Sequence, residues 1–298
     1  MKQLLYISEY LGDTDRGREI AKLIHSLASE PDLNFDVIEI PNTVNGKNEW
    51  CRDYMPVKAS DSELVLFSYN PSYLREYETH RKTIPNQKDI CEVLELNVRT
   101  SDIILDGGAI EIQGKKAIIS DRVLSENTTS WKEGIPELIN RIKVLLKLDE
   151  LIVVPADPWD FTGHVDGMVR FINDDTVLVN DLTGLDKKME QEHPLMKAIY
   201  DNWKRNLFAS LEFAKLKPYS VTLPCTVHEN VKDKSAVGIY MNFLILEKCI
   251  VMPVFGDMKN DIVAQKVLEK AYGKPVIPVE SKKLAEEGGI INCVTWVG

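Results

Sequence analysis

The sequence predicts an α/β fold in which five similar units close into a ring. Strand-like and helix-like patterns alternate along the whole chain. Four times, a polar motif is followed by two short apolar strands around a turn. The polar motifs recur at intervals of roughly 60 residues, the spacing expected of supersecondary units that stack and close on themselves.

The first unit begins with a buried strand, Gln3–Ser8, and an amphipathic helix over residues 16–29. The helix is predicted because four apolar residues fall on one face of a 3.6-residue period. These residues are Ile20, Leu23, Ile24 and Leu27. A second strand is predicted at Phe35–Ile40.

Four hairpins follow, each made of two apolar runs separated by polar turn residues. They pair residues 54–59 with 63–68, 109–112 with 116–120, 168–172 with 176–180, and 240–246 with 249–254. Helical periodicity predicts helices over residues 86–94, 135–146, 194–215 and 261–272. A last apolar strand is predicted over residues 290–297.

One polar residue marks each repeat: Asp53, Asp106, His164, Asn242 and Cys293. The intervals between these markers are 53, 58, 78 and 51 residues, and the longest contains the longest predicted helix, which we interpret as an insertion. A simpler interpretation stays open, since any α/β protein contains hairpins at such intervals. Because no Gly-, Ser- or Pro-rich linker divides the chain, we expect a single domain over residues 1–298.

Composition and charge limit the partners. The 298 residues are 44% hydrophobic and 28% charged, as in ordinary globular proteins. The net charge of −10 argues against a nucleic-acid partner, because no basic run offsets the acidic field. The same field suits a small cationic substrate.

The sequence contains no apolar run long enough for a signal peptide or a membrane span. The longest such run, residues 236–246, contains Asn242 and stops at Glu247. Five cysteines form no CxxC pair, so we expect free thiols in a reducing compartment. We therefore expect a cytoplasmic protein without a membrane partner, and association into a homo-oligomer stays open.

The markers form a chemically coherent set. If equivalent positions of the units point towards one axis, carboxylates, a histidine and a thiol meet there. A thiolate is a nucleophile, a histidine transfers protons, and two carboxylates can grip a planar guanidinium from opposite edges. This set predicts chemistry on a guanidinium group.

Each marker also has a structural interpretation when taken alone. An isolated cysteine such as Cys293 is more often a small buried apolar residue, and His164 alone is typical of a hydrogen-bonded histidine at a strand entry. Asp106 before two glycines is typical of a turn, and Arg52 with Asp53 of a solvated pair. Their occurrence at equivalent repeat positions favours the functional interpretation.

Motifs for other chemistries are missing from the sequence. It has no HxxxH, HExxH or CxxC pattern for a metal, no GxSxG elbow for a serine hydrolase, and no glycine-rich phosphate loop. A metal site that uses His164 and Asp166 with a distant thiol is therefore the weaker hypothesis.

Six motifs resemble those of agmatine deiminases and the related Porphyromonas-type peptidylarginine deiminases. They begin at Trp50, Asp106, Thr162, Tyr240, Phe255 and Gly288, and they read WCRDYMP, DGG, TGHVD, YMNF, FGD and GGIINCVT. The corresponding family motifs are WxRDxxP, (E/D)GG, NGHID, YVNF, FGD and GGGNIHCIT. The matches run in the family's order to the C-terminal part of the sequence.

The resemblance implies a pentein fold, a five-bladed α/β propeller with pseudo-fivefold repeats, and a guanidine-modifying enzyme that uses neither metal nor cofactor. It implies that Cys293 attacks the guanidinium carbon and that Asp53 and Asp166 clasp the guanidinium nitrogens. His164 would protonate the departing ammonia and then activate water. Asp106 would orient His164 or bind the substrate.

Two further residues of the first motif, Trp50 and Arg52, are expected on the same basis to bind substrate. For Trp50, a purely structural role as a buried aromatic residue is an equal alternative.

The sequence departs from the family just before the cysteine, where Ile291 and Asn292 replace Asn-Ile-His, and in the unfamiliar segment over residues 157–161. Hydrolysis of a guanidino compound, agmatine first, to a ureido product and ammonia is the leading hypothesis. Arginine, peptidyl-arginine and amidino transfer to an amine stay open. A non-catalytic pentein binding module is the alternative from another class, and loss of the thiol or the histidine would favour it.

Overall fold

The computed structural model describes residues 2–75, 78–128, 134–183, 190–191, 194–225 and 234–298. Within these ranges the strands form five three-stranded sheets. In every sheet, an antiparallel pair of strands is extended by a third strand that runs parallel to the middle one. The α/β class and the fivefold repeat are therefore confirmed.

The strands are β1 (Gln3–Ser8), β2 (Phe35–Ile40), β3 (Val57–Ser60), β4 (Glu63–Ser68), β5 (Val98–Ile104), β6 (Ile110–Gln113), β7 (Lys116–Ser120), β8 (Glu150–Val154), β9 (Val169–Phe171), β10 (Thr176–Val179), β11 (Lys217–Pro218), β12 (Leu244–Ile245), β13 (Ile250–Val254), β14 (Val276–Glu280) and β15 (Thr295–Val297). The sheets contain them in the orders β15-β1-β2, β3-β4-β5, β6-β7-β8, β9-β10-β11 and β12-β13-β14. All four predicted hairpins are confirmed as antiparallel pairs. Two of their first strands begin several residues later than predicted: Val57–Ser60 replaces residues 54–59, because Tyr54 ends a helix, and Leu244–Ile245 replaces residues 240–246.

The longer helices are Arg18–Ala28, Gln87–Val93, Asp121–Thr128, Ile135–Leu146, Pro194–Phe213 and Met258–Tyr272. Shorter helices are Glu9–Asp13, Asn42–Asn45, Cys51–Tyr54, Ser72–Arg75, Glu78–Arg81 and Lys282–Ala285. Single 3-10 turns occur at Pro31–Leu33, Gly107–Ala109 and Val165–Gly167. None of the helices in the described ranges combines the length and the apolar character needed to cross a membrane.

The unit built on β6, β7 and β8 illustrates how the sequence forms each repeat. A tight turn at Gly114, whose φ is 57°, joins β6 to β7. The helix Ile135–Leu146 then returns the chain so that β8 lies parallel to β7. Leu138, Ile142 and Leu146 are buried on one face of this helix, as its apolar period predicts.

The unit with the longest marker interval contains the predicted insertion. Its helix, Pro194–Phe213, lies between β10 and β11. Tyr200, Trp203 and Leu207 of this helix are buried in one cluster with residues of β9 and β10. The added length therefore extends the core of that unit.

The two ends of the chain form one sheet. β15 pairs antiparallel with β1, and Tyr6 lies opposite Trp296 in this pairing. The predicted strand over residues 290–297 is only partly correct, because residues 291–294 form a turn and the strand begins at Thr295. The apolar run is continuous because residues 290–294 are buried, which does not require a strand.

The five markers occupy equivalent places just before the first strand of a sheet. Asp53 lies on a single helical turn before β3, and Asp106 directly precedes the 3-10 turn before β6. His164 directly precedes the 3-10 turn before β9. Asn242 follows a turn and Cys293 lies in one, each two residues before its strand, β12 or β15. These segments contact one another, which brings residues that are distant in sequence into one site.

Candidate active site

A cavity of about 730 Å³ opens where the marker segments meet. Asp53, His164, Asp166, Asn242 and Cys293 all line it. The sequence hypothesis that carboxylates, a histidine and a thiol converge is therefore matched by the geometry.

Asp106 lies behind the cavity wall and contacts His164. Its Oδ2 atom is 3.2 Å from His164 Nε2 and accepts a 2.8 Å hydrogen bond from the Tyr73 hydroxyl. The other ring nitrogen, Nδ1, is 3.7 Å from Asp53 Oδ1. Of the two roles expected for Asp106, this geometry matches the orientation of His164. Tyr73 lines the cavity but carries no sequence signal, since it lies outside the marker motifs.

Two glycines let these side chains approach each other. The Gly108 amide donates a 3.0 Å hydrogen bond to Asp53 Oδ1. A Cβ atom on Gly108 would lie 2.4 Å from His164 Nδ1, and one on Gly107 would lie 2.0 Å from the Arg52 carbonyl oxygen. The pair of glycines after Asp106 is therefore required by close approach.

Asp166, the second carboxylate on the cavity wall, is held by an amide. Asp166 is buried, and its Oδ2 atom accepts a 2.7 Å hydrogen bond from Asn292 Nδ2. Among the described residues, no hydrogen bond to Asp166 Oδ1 is formed. Because Asp166 lines the cavity, this oxygen is free for a ligand.

The thiol lies beside Asn242. Cys293 Sγ donates to Asn242 Oδ1 at 3.4 Å, and the same oxygen accepts from the backbone amides of Asn292 and Cys293 at 3.0 and 3.3 Å. Asn242 was expected only as a repeat marker, without a role in the site. Its equivalence to the other markers was the signal that could have assigned one.

Burial and charge set the protonation of the site. Burial, with the negative charges of Asp166 and Asp53, raises the pKa of the Cys293 thiol well above its ordinary value. Burial lowers the pKa of His164, but Asp53, Asp106 and Asp166 outweigh this and raise it to about 10.

Asp53 titrates close to neutral pH. Burial raises the pKa of Asp53 to about 7; Asp106 and Asp166 add to this effect, and His164 opposes it. Without a ligand, these pKa directions favour a neutral thiol and an imidazolium, and they make Asp53 easier to protonate than an ordinary carboxylate.

The expectation that Arg52 binds substrate is not supported by its position. Arg52 is absent from the cavity wall, and its Nε and Nη2 atoms donate to Asn292 O and Oδ1 at 3.2 and 3.1 Å. The neighbouring Asp53 is buried, so the two are not a solvated pair. Trp50 does line the cavity, with its ring packed on Gly289.

Within the described part of the chain, no group of three or more His, Cys, Asp or Glu side chains is arranged to hold a metal ion.

Comparison with known proteins agrees with this geometry. Residues 15–297 match the family model of the Porphyromonas-type peptidyl-arginine deiminase. The chain belongs to this family. Members and relatives include a candidate agmatine deiminase of Streptococcus mutans serotype c, 27% identical over 235 residues, and the agmatine deiminase of Medicago truncatula, 25% identical over 236 residues. Each of these alignments covers 70% of this chain and 60% of the relative, so the chain spans about 60% of the length of these curated relatives.

Solved structures share the fold over nearly the whole chain. An agmatine deiminase from C. jejuni aligns with a TM-score of 0.70 and 17% identity, covering 99% of this chain and 93% of that chain. DDAH from Pseudomonas aeruginosa aligns with a TM-score of 0.58 and 11% identity, covering both chains completely at 100%. The family member described here therefore has the pentein fold.

Proposed function

We propose that this protein is a deiminase that hydrolyses a small guanidino compound, agmatine first, to a ureido product and ammonia. The observation that carries the proposal is the meeting of two buried carboxylates, Asp53 and Asp166, with the Cys293 thiol and the His164 ring on one cavity. Two carboxylates match the edges of a guanidinium, and a thiol is the nucleophile its carbon needs. Relatives that bear the agmatine deiminase name support the choice of first substrate.

In the first step, the Cys293 sulfur forms a bond to the guanidinium carbon. A carbon–nitrogen bond then breaks, and one nitrogen leaves as ammonia. Substrate binding expels the proton of the thiol to solvent. The imidazolium of His164 gives its own proton to the departing nitrogen, which leaves His164 neutral for the second step. An imidazolium suits this role, because the pKa of His164 is raised to about 10.

In the second step, water attacks the cationic thiouronium carbon. His164 accepts a proton from the water, the carbon–sulfur bond breaks, and the thiol is restored. The products are the ureido compound and, after protonation of ammonia, an ammonium ion. Asp106 keeps the His164 ring in place through both steps.

The substrate itself activates the thiol. In the free site the pKa of Cys293 is raised by burial and by Asp166 and Asp53. A guanidinium bound between these carboxylates neutralises their field and adds a positive charge beside the sulfur, which lowers that pKa. The thiolate therefore forms only when there is substrate to attack.

The test is ammonia release and ureido-product formation with agmatine, arginine, an arginine peptide and dimethylarginine. Turnover of one compound supports the proposal and names the substrate, and Cys293→Ala should abolish it. Cys91→Ala, which alters a buried thiol that does not line the cavity, is the matched control and should keep it. Full activity of Cys293→Ala would overturn the mechanism.

The clasp is tested in the same assay. Asp53→Asn and Asp166→Asn should each raise KM by about tenfold or more, because a charge-assisted hydrogen bond becomes a neutral one. Unchanged KM and kcat in both variants would contradict the clasp. A variant at Trp50, which lines the cavity, would show whether its ring also contributes to binding.

Product formation only after an amine is added would assign amidino transfer instead. No reaction under any of these conditions would favour the binding module.

We also infer a cytoplasmic location, which is supported by five cysteines that form no disulfide. The absence of a cofactor and of a nucleic-acid partner, and the association into homo-oligomers, stay predictions of the sequence.

A further inference from the structure

We propose that Asn292 is a positioning residue that holds Asp166 in the orientation that receives the guanidinium, with Arg52 fixing Asn292 in turn. The inference rests on the proposed function, because it concerns how that clasp is held. Asn292 does not line the cavity, so it can act on a ligand only through Asp166 and the chain leading to Cys293.

Every polar group of Asn292 is engaged. Its Nδ2 atom donates to Asp166 Oδ2 at 2.7 Å, and its backbone amide donates to Asn242 Oδ1 at 3.0 Å. Its Oδ1 and carbonyl oxygens accept from Arg52. A buried side chain with this many partners has one rotamer available, so the position of Asn292 fixes that of Asp166.

Arg52 contacts Asn292 through two guanidinium nitrogens, Nε and Nη2, and contacts the Cys293 segment through its backbone. The Arg52 amide donates to the Cys293 carbonyl oxygen at 3.1 Å. Within the described residues, Arg52 has no carboxylate within ion-pair distance, so Asn292 is the group that its guanidinium grips. The three residues Arg52, Asn292 and Asp166 thus form a continuous chain of hydrogen bonds.

An amide is the side chain that this position requires. It accepts from a cation on one side and donates to a carboxylate on the other, which neither an acid nor an aliphatic residue can do. The result is that Asp166 uses one oxygen for Asn292 and keeps the other for the substrate. A preorganised carboxylate binds a ligand more tightly than a mobile one, because the entropy of its side chain is lost on folding and not on binding.

Asn292→Asp isolates this role, because it keeps the shape and replaces the donor with a second carboxylate. The charged or titratable groups already facing Asp166 are Arg52, Asp53, His164, Arg170 and Cys293. A new negative charge next to Asp166 favours its protonated form, which cannot clasp a cation. In this variant, protons compete with the substrate for Asp166 up to a higher pH than they do in the unsubstituted protein.

The first measurement is the pH profile of kcat/KM. For Asn292→Asp we expect KM to rise about tenfold or more, with a smaller change in kcat, and the acidic limb to move to higher pH. Arg52→Lys keeps the charge but cannot donate to both Asn292 oxygens in the same geometry. It should raise KM and shift the acidic limb of the kcat/KM profile less than Asn292→Asp does. Arg52→Lys also provides the test of the positioning role if Asn292→Asp fails to fold.

The matched control is Asn45→Asp, another buried asparagine whose amide is fully bonded, to Ser8, Ile40 and Lys47. It lies outside the cavity and should lose stability while keeping KM and the pH profile. A merely structural role for Asn292 predicts the same result for both substitutions.

The second measurement needs no turnover. Calorimetry gives the Kd of methylguanidinium for Cys293→Ala and for Cys293→Ala with Asn292→Asp. A Kd that is about tenfold higher or more in the double variant supports the positioning role. This holds even if the unsubstituted protein turns over no compound and the proposed reaction is wrong. If Kd, KM and the pH profile are unchanged by Asn292→Asp, the positioning role is wrong. If the unsubstituted protein still turns over a guanidino compound, the proposed reaction is supported independently of that result. No binding and no turnover in the parent would overturn both.

Discussion

Two side chains of the free site hold protons that a bound cation should expel. Burial raises the pKa of Asp53 to about 7, and burial with the charges of Asp166 and Asp53 raises the pKa of Cys293 well above its ordinary value. A guanidinium favours the ionised form of both groups. Ligand affinity should therefore fall as the pH falls below about 7, where Asp53 must first lose its proton.

We predict that methylguanidinium binding at pH 7 releases protons. Calorimetry in buffers of different ionisation enthalpy measures the number released. Cys293→Ala should still release the protons that come from Asp53 when methylguanidinium binds, and Asp53→Asn should not release them. Proton uptake, or release that does not change between these variants, would contradict the assigned pKa directions.

The residues that we propose to react could be predicted at the residue scale, because each carries its own signal. Cys293, His164 and the acidic residues stand at equivalent places in a repeat and within motifs of a known family. The supporting residues carry no such signal. Tyr73 and Asn292 act by contacting Asp106 and Asp166, and those contacts exist only in the folded chain.

At the scale of elements, short apolar runs on either side of polar turn residues were sufficient to predict the hairpins, because most of these strands are buried along nearly their whole length. The same rule failed at residues 290–297, because the buried residues 291–294 form a turn and not a strand. Cys293 consequently lies on a turn. This placement lets its backbone amide and its thiol reach the same Asn242 oxygen.

Strand β15 is held by a bond that we expect to matter for stability. The Trp296 indole donates a 2.7 Å hydrogen bond to the Pro56 carbonyl oxygen, and its ring stands edge-on to Tyr6. Trp296→Phe leaves that buried oxygen without its donor and should lower the free energy of unfolding by about 1–3 kcal/mol.

Denaturant unfolding measures this change, and Trp159→Phe is the matched control. Among the described residues, the buried Trp159 indole N–H has no hydrogen-bond partner. Its removal costs only the packing lost with the smaller ring. Equal losses in the two variants would show that the Trp296 bond contributes nothing.

At the scale of the molecule, we predict that the chain unfolds as one domain. The first and last strands share a sheet, and hydrogen bonds between the marker segments join each unit to others. Scanning calorimetry should therefore give a single transition. Two separate transitions would contradict the single domain expected over residues 1–298.

The wall of the cavity is assembled from residues of all five repeats, among them Trp50, Arg122, Asp166, Asn242 and Cys293. Opening any repeat therefore dismantles the site, and a ligand that binds only the assembled site resists the opening of them all. Amide hydrogens far from the ligand, in outer strands such as β2 and β14, should exchange more slowly when it is bound. A ligand no larger than a guanidinium should therefore slow amide hydrogen exchange even in the outer strands of the sheets.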